Sequence, residues 1–178
     1  MASDDYVTKL AQYLNANVSS NRILYVEYSN EVWNTFFAQG KYATDQAAKL
    51  GLANYHKFYA QRSLQIFNIF KSVYNSASAK LQFVISFQVV SKWVADQILS
   101  GTNLVGVANI VAGAPYYDCD SIGNTVNTAL YATLTPIDII NRCNSSYATM
   151  DPMLTVNNIV AQTYNLSMAT YEAGTSIS

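Results

Sequence analysis

Three glutamates are the residues of this chain best suited to acid–base chemistry, and two of them are close together. In "VEYSNEVWN", residues 26–34, Glu27 and Glu31 are four positions apart, while Glu172 follows a short β-rich run in "ATYEAGTS". In an extended strand Glu27 and Glu31 would share one face. Two carboxyl groups, one protonated and one ionised, can divide the roles of acid and base. A single glutamate at a strand end is more often a surface group than a catalytic one. Whether these glutamates can act together therefore depends on the helices and strands that position them.

Strand and helix patterns alternate along the chain. The segment "SDDYVTKLAQYL" is helical in spacing with Ser3 as N-cap, and residues 38–74 predict one long helix or two. Pro136 is expected to break or kink a helix, and Pro152 to start the next one. Regular alternation favours βαβ units, so we predict an α/β fold in a single domain, residues 1–178. The strands expected side by side and parallel, in chain order, are "LYVEYS", "QFVIS", "NIVAGA" and "SMATY".

Composition excludes several classes of partner and cofactor. Only 12% of the residues are charged and the formal net charge is −1, which disfavours nucleic acid. No apolar run is long enough for a membrane span, so no membrane partner is expected. No Gly-rich phosphate loop occurs and the cysteines lack metal-ligand spacing, so we expect neither cofactor nor metal. His56, the only histidine, is expected to be a surface or packed residue, since no G-x-S-x-G motif accompanies it.

The segments "YVEYSNEVWNTFF", "LQFVISFQ", "AGAPYY" and "ATYEAG" resemble, in order and spacing, the (β/α)8-barrel glycoside hydrolases of the large retaining clan that includes cellulase-like enzymes. The most similar members are secreted proteins with an "EYSNEVWN" strand and a later "YEGG" strand. The resemblance runs from about residue 20 to residue 174 and implies barrel strands 4 to 7 with their helices. "SNEVWN" is fairly specific, whereas "YEAG" would be weak without it.

The resemblance implies a role for each matching residue. Glu31 matches the general acid/base, Glu172 the nucleophile, and Asn30 the group that binds the sugar hydroxyl beside the cleaved bond. Tyr116 matches an aromatic near the nucleophile, and Glu27 is expected further in, as a structural residue. Retaining hydrolysis needs a carboxylic acid and a carboxylate about 5 to 5.5 Å apart, which strand ends of one sheet can provide. The implied substrate is a β-linked polysaccharide or another glycan.

A second interpretation stays open beside hydrolysis. Ala173 replaces the second glycine of the "YEGG" strand, so the domain could be a structural or carbohydrate-binding barrel that has lost turnover. Trp33 could be a platform for stacking on a sugar ring, although core packing at the start of the helical region is the more common role of such a residue. Trp93 is open to the same two interpretations.

An extracellular or cell-wall location follows from the resemblance, and two kinds of modification would fit it. Cys119 and Cys143 are expected to form a disulfide if the protein is extracellular, with a gain of roughly 3 kcal/mol from loop closure. Asn17, Asn144 and Asn165 begin N-glycosylation sequons. Their number is about what chance gives in a chain this rich in Asn, Ser and Thr, so the sequons decide little about the compartment.

Four strands of an eight-stranded barrel are not accounted for in this sequence. Three would precede residue 20 and one would follow residue 178. A half sheet would expose two parallel edges and an apolar inner face. We expect the chain to be a fragment of a longer barrel; the alternatives are that the chain pairs with another half barrel, or that the resemblance overstates the closure of the barrel.

Overall fold

The computed structural model describes residues 2–118, 133–148 and 150–176. Helices and strands alternate through these residues, as the sequence pattern predicts. The helices are α1 (Asp4–Asn17), α2 (Ala38–Lys49), α3 (Tyr55–Tyr74), α4 (Lys92–Leu99), α5 (Pro136–Tyr147) and α6 (Met150–Tyr164). The strands are β1 (Leu24–Glu27), β2 (Leu81–Ser86), β3 (Ile110–Gly113), β4 (Tyr116–Asp118), β5 (Ser167–Thr170) and β6 (Gly174–Ser176).

The main sheet has four parallel strands in the order β1-β2-β3-β5, which confirms the predicted strands and their order. A second parallel ladder joins β4 to β6 just beyond β3 and β5. Among the described residues the sheet stays open, with β1 and β5 at its edges. The fold is therefore mixed α/β with a parallel sheet, and it does not show a closed barrel.

The two faces of the sheet bury different clusters of side chains. Phe83 and Val111 belong to the larger core between the sheet and the helices, where α1, α3, α4 and α6 pack in that order. The ring of Phe67 on α3 stacks on Phe83 with 4.5 Å between ring centroids. On the opposite face, Val84, Ile110 and Ala112 form a smaller cluster that Tyr171 partly covers. This alternation along each strand is expected for a sheet with apolar contacts on both faces.

The long helical region divides into α2 and α3 because a glycine turn interrupts it. Gly51 has a φ of 65°, a left-handed conformation that favours glycine, and Leu50 is the C-cap of α2. The side chain of Asn54 then caps α3 by accepting a hydrogen bond from the backbone N–H of Lys57.

Pro136 and Pro152 both lie at helix beginnings. Pro136 opens α5 directly after Thr135, whose side chain forms a capping box with Asp138. The residues before this cap, 119–132, lie outside the described parts of the chain, so the break or kink expected at Pro136 is untested there. Pro152 does not start a helix, because α6 begins two residues earlier at Met150. Proline fits in this first turn because the N–H it lacks would have no partner inside the helix.

Candidate functional site

The carboxyl ends of the parallel strands bring the predicted site residues to one edge of the sheet. Glu31 follows β1, Tyr116 follows β3 and Glu172 follows β5. Because these strands run in the same direction, the segments that leave them emerge on the same side. The hydrogen bond to Glu172 is the largest cause that raises the pKa of Tyr116, and burial and the charges of Glu172 and Glu31 add to it.

Glu31 lies in a turn rather than in a strand. β1 ends at Glu27, so the strand alternation that would place Glu27 and Glu31 on one face does not reach Glu31. The backbone of Glu31 has a φ of 50°, a left-handed conformation that is uncommon for a glutamate. Such conformations persist only where surrounding contacts enforce them, and they concentrate at functional sites.

Asn34 supplies the contacts that hold this turn. Its backbone N–H donates to the Glu31 carbonyl at 2.9 Å, and its Nδ2 donates to Glu31 Oε2 at 3.4 Å. Its Oδ1 accepts from the N–H of Phe36 at 3.1 Å, which sets the direction of the amide group. Asn34 therefore connects the Glu31 carboxylate to the backbone before α2.

Gly40 is needed for α2 to approach this turn. A Cβ atom at Gly40 would lie 2.4 Å from the backbone oxygen of Asn34, well inside van der Waals contact. Sequence reasoning missed both residues. The signal for Asn34 was its position three residues after Glu31, where a short polar side chain commonly closes a turn.

Glu172 lies in the break between β5 and β6 and is exposed. The Tyr116 hydroxyl donates a hydrogen bond to Glu172 Oε2. This bond is the main cause of the raised pKa of Tyr116, since the donated proton is held against the carboxylate. The contact is the one that the resemblance implied for an aromatic beside the nucleophile.

Tyr171 is a further member of the site that the sequence did not indicate. Burial is the main cause that raises the pKa of its hydroxyl, and the charges of Glu31, Glu172 and Glu27 add to the effect. The side chain of Trp33 acts in the opposite direction and lowers the pKa of Tyr171. Trp33 Nε1 and the Tyr171 hydroxyl are nevertheless buried atoms without a hydrogen bond of good geometry to any described residue. Two unpartnered polar atoms therefore lie beside the carboxyl groups.

Glu27 lies further in, at the end of β1, as the sequence predicted. Burial raises the pKa of Glu27, and the Ser86 hydroxyl opposes the shift. Its Oε1 is buried without a hydrogen-bond partner among the described residues. The same Ser86 hydroxyl is within 3.0 Å of the Tyr59 hydroxyl and 3.1 Å of the Ser29 carbonyl. Glu27 thus lies beside the hydrogen-bonded hydroxyls of Tyr59 and Ser86.

The remaining predicted binding residues are distributed around the edge. Asn30 is half-buried in the bend before Glu31. Trp33 is also half-buried and packs against the main core, and its carbonyl accepts a 3.1 Å hydrogen bond from the Tyr55 hydroxyl. Core packing therefore describes most of the contacts of Trp33, and its Nε1 is buried without a hydrogen-bond partner among the described residues. Trp93 is exposed on α4.

His56 is packed rather than exposed. Only 2% of its surface is accessible, and its ring lies 4.0 Å from the ring of Tyr55 and 5.5 Å, edge to face, from that of Trp93. Burial is the main cause that lowers the pKa of His56 to about 4, and the Lys57 charge adds to it. The imidazole is therefore neutral at pH 7.

The predicted modification sites that lie in the described residues are all on α-helices or next to them. Asn17, Asn144 and Asn165 are exposed, which leaves their side chains accessible. Cys143 on α5 is disulfide-bonded. Cys119, the other cysteine of the sequence, lies outside the described residues.

Comparison with family models, with curated proteins and with solved structures finds no match for this chain.

In the parts of the chain that the structure describes, no helix is both long and apolar enough to cross a membrane. Within the same residues, no group of three or more His, Cys, Asp or Glu side chains is arranged to hold a metal ion.

Proposed function

We propose that this chain is part of a (β/α)8 glycoside hydrolase domain, about strands 4 to 7, that cleaves β-linked polysaccharide with retention of configuration. The observation that carries the proposal is the hydrogen bond from Tyr116 to Glu172, with Glu31 in the turn that follows β1 at the same edge of the parallel sheet. Two carboxyl groups and a donor at the carboxyl edge of a parallel sheet are what this chemistry requires.

In the proposed mechanism Glu172 attacks the anomeric carbon and Glu31 protonates the leaving oxygen. The Tyr116 hydroxyl donates to Glu172 Oε2 and so orients this carboxylate for attack. Glu31 then activates the water that hydrolyses the glycosyl-enzyme. Asn30, immediately before Glu31, is proposed to bind a sugar hydroxyl beside the cleaved bond.

The cellular setting belongs to the same proposal. A polysaccharide substrate, the disulfide of Cys143 and three exposed sequons are consistent with an extracellular or cell-wall protein. Disulfides persist in oxidising compartments, so the bonded Cys143 supports this location more directly than the sequons do.

The test is release of reducing sugar from a panel of β-linked polysaccharides. Hydrolysis should be lost in Glu172→Gln and Glu31→Gln, because each amide removes the charge or the proton that the step needs. Asp45→Asn is the matched control, since Asp45 is an exposed carboxylate on α2. A 2-fluoro-glycoside inactivator should also add one sugar mass to Glu172 and none to the Glu172→Gln variant. Hydrolysis that persists in both glutamine variants would contradict the assignment.

A second candidate function is glycan binding without turnover. The exposure of Glu172 favours it, because a nucleophile open to water is less protected than retaining chemistry prefers. Binding to the same polysaccharides that survives Glu172→Gln, with no sugar released by the unmodified protein, would support this function instead.

A further inference from the structure

Trp93 is a large apolar side chain that the fold leaves exposed. It lies in the first turn of α4, in the connection that follows β2, and 60% of its surface is accessible. β2 pairs with β1 on one side and with β3 on the other, so Trp93 follows an inner strand of the sheet and belongs to neither open edge. Val90, in the same connection, is exposed as well. Tryptophan is enriched at binding surfaces, because its ring offers a large apolar area together with a polar N–H group.

Neighbouring rings hold the side chain of Trp93 in place. The ring of His56 meets it edge to face, at an interplanar angle of 82° and with 5.5 Å between the ring centroids. His56 is 2% exposed, and its ring is 4.0 Å from the ring of Tyr55, whose hydroxyl donates to the Trp33 carbonyl at 3.1 Å. A ring that is supported by packed side chains loses little conformational freedom when a ligand stacks on it. Trp93 is therefore preorganised for binding.

The position of His56 places Trp93 at the same edge of the sheet as the candidate site. The Tyr59 hydroxyl, one turn after His56 on α3, accepts a 3.1 Å hydrogen bond from the N–H of Ser86, the last residue of β2. The beginning of α3, with His56 against Trp93, is thus at the carboxyl end of β2. The two carboxyl groups of the candidate site follow β1 and β5 instead. Trp93 therefore shares their edge but is separate from the reacting groups.

The surroundings of Trp93 suit an uncharged ligand that has many hydroxyl groups. Lys92 and Asp96 pair at 2.7 Å, so their charges offset each other beside the ring. Gln97, one turn after Trp93 on α4, accepts a 2.9 Å hydrogen bond at Oε1 from the side chain of Asn54, which fixes the orientation of its amide group. A pyranose ring of a β-linked polysaccharide presents apolar C–H groups on its faces and hydroxyl groups around its rim. An aromatic face with polar side chains beside it is complementary to both parts.

We propose that Trp93 is a stacking platform for one sugar ring of a polysaccharide chain, at a position separate from the cleaved bond. The class of ligand rests on the proposed function. Because the polysaccharide would contact Trp93 and the carboxyl groups together, a long chain should bind more tightly than a short glycoside that reaches only the reacting groups. Trp93 contacts the substrate away from the reacting atoms, so its contribution should appear in affinity and KM rather than in kcat.

The first experiment measures the binding of soluble β-glucans and xylan by the Glu172→Gln protein, because this variant should bind without cleaving. Adding Trp93→Ala should weaken binding roughly 10-fold or more, and Trp93→Tyr should keep most of the affinity. Val105→Ala is the control, because Val105 is exposed in the loop before β3, at the opposite edge of the sheet. Circular dichroism checks that each variant is folded. Unchanged affinity after Trp93→Ala, or no binding by the Glu172→Gln parent, would overturn the proposal.

The second experiment observes Trp93 directly by fluorescence. The chain has two tryptophans, so Trp93 is the only one left in a Trp33→Phe variant. Addition of the same polysaccharides should shift the emission to shorter wavelength and protect it from quenching by acrylamide, because a stacked sugar displaces water from the exposed indole. Emission and quenching that stay unchanged at saturating polysaccharide would overturn the proposal. The ring of Trp93 is intact here, so this measurement tests the proposal even if Trp93→Ala fails to fold.

Kinetics separate this inference from the proposed hydrolysis. With Glu31 and Glu172 intact, Trp93→Ala should lower kcat/KM for polysaccharide roughly 10-fold more than kcat/KM for a short aryl β-glycoside. An equal effect on the two substrates would refute the role of Trp93 and keep hydrolysis. Polysaccharide binding that depends on Trp93, without release of sugar by the wild type, would keep this inference and refute hydrolysis.

Discussion

His56 should make the stability of this protein fall as the pH falls below about 6.5. The ring is 2% exposed and its folded-state pKa is lowered to about 4, against about 6.5 in an unfolded chain. Between these values the unfolded state binds a proton that the folded state excludes, so protonation favours unfolding. The stabilisation by a neutral His56 is complete above pH 6.5 and is lost progressively down to pH 4.

The size of the effect follows from the two pKa values of His56. A difference between about 6.5 and about 4 corresponds to about 3 kcal/mol over the full range, of which about 2 kcal/mol falls between pH 7 and pH 5. This is a large part of the stability of a typical domain. Since His56 is the only histidine, no other imidazole contributes.

The assay is urea unfolding at pH 7, 6 and 5, for the wild type and for His56→Phe. The phenylalanine keeps a ring against Tyr55 and Trp93, and any packing cost it adds is the same at every pH. Glu27, whose pKa is raised by burial, contributes the opposite trend because folding favours its protonated form. That contribution is present in both proteins and cancels in the difference.

The wild type should therefore lose about 2 kcal/mol more than His56→Phe between pH 7 and pH 5. The single imidazole resonance should titrate with a midpoint near 4 while the protein stays folded. Parallel pH curves for the two proteins, or a midpoint near 6.5 in the folded state, would show that His56 is not held neutral by burial.

Substitutions of Phe67, Gly40, Thr135 and Tyr116 test the core, the caps and the site. Phe67→Ala should destabilise by about 3 to 5 kcal/mol in urea unfolding, because Phe67 is fully buried, whereas Phe36→Ala, at 92% exposure, should change stability by less than about 0.5 kcal/mol. Gly40→Ala should cost about 1 to 3 kcal/mol in the same assay, because its Cβ would meet a backbone oxygen; an unchanged midpoint would contradict this contact. Thr135→Ala should cost about 1 kcal/mol through loss of the capping box of α5, and Thr135→Ser should restore most of it. Tyr116→Phe should lower kcat by on the order of 10-fold or more under the proposed mechanism, with little change in thermal stability; equal activity would remove Tyr116 from the site.

The strands were predictable because their sequence signals are local. The runs "LQFVIS" and "NIVAG" are short, apolar and bounded by helical spacing, as expected of strands buried on both faces. Alternation with helices then predicts parallel pairing in chain order, which the sheet has. Whether four such strands close into a barrel depends on what pairs with β1 and β5, and those contacts are not encoded in any one segment.

The candidate site was predictable in its residue types but not in its geometry. The resemblance predicted Glu31, Glu172 and Tyr116 close to strand ends, but Glu31 lies in a turn four residues beyond the end of β1. The left-handed backbone of Glu31 and the support from Asn34 depend on a turn whose conformation is enforced by α2. Residue propensity and hydrophobic periodicity predict regular helices and strands. They do not predict a strained turn that is held by tertiary contacts, such as the turn at Glu31.

The break that holds Glu172 has a consequence for the entropy of ligand binding. The break is short, with strand pairing to β3 before it and to β4 after it, and the Tyr171 N–H donates to the Gly113 carbonyl within it at 3.2 Å. The backbone on both sides of Glu172 is thus immobilised when the chain folds. Conformational entropy that the backbone loses on folding is not lost again when a ligand binds. The Glu172 carboxylate is therefore preorganised for binding.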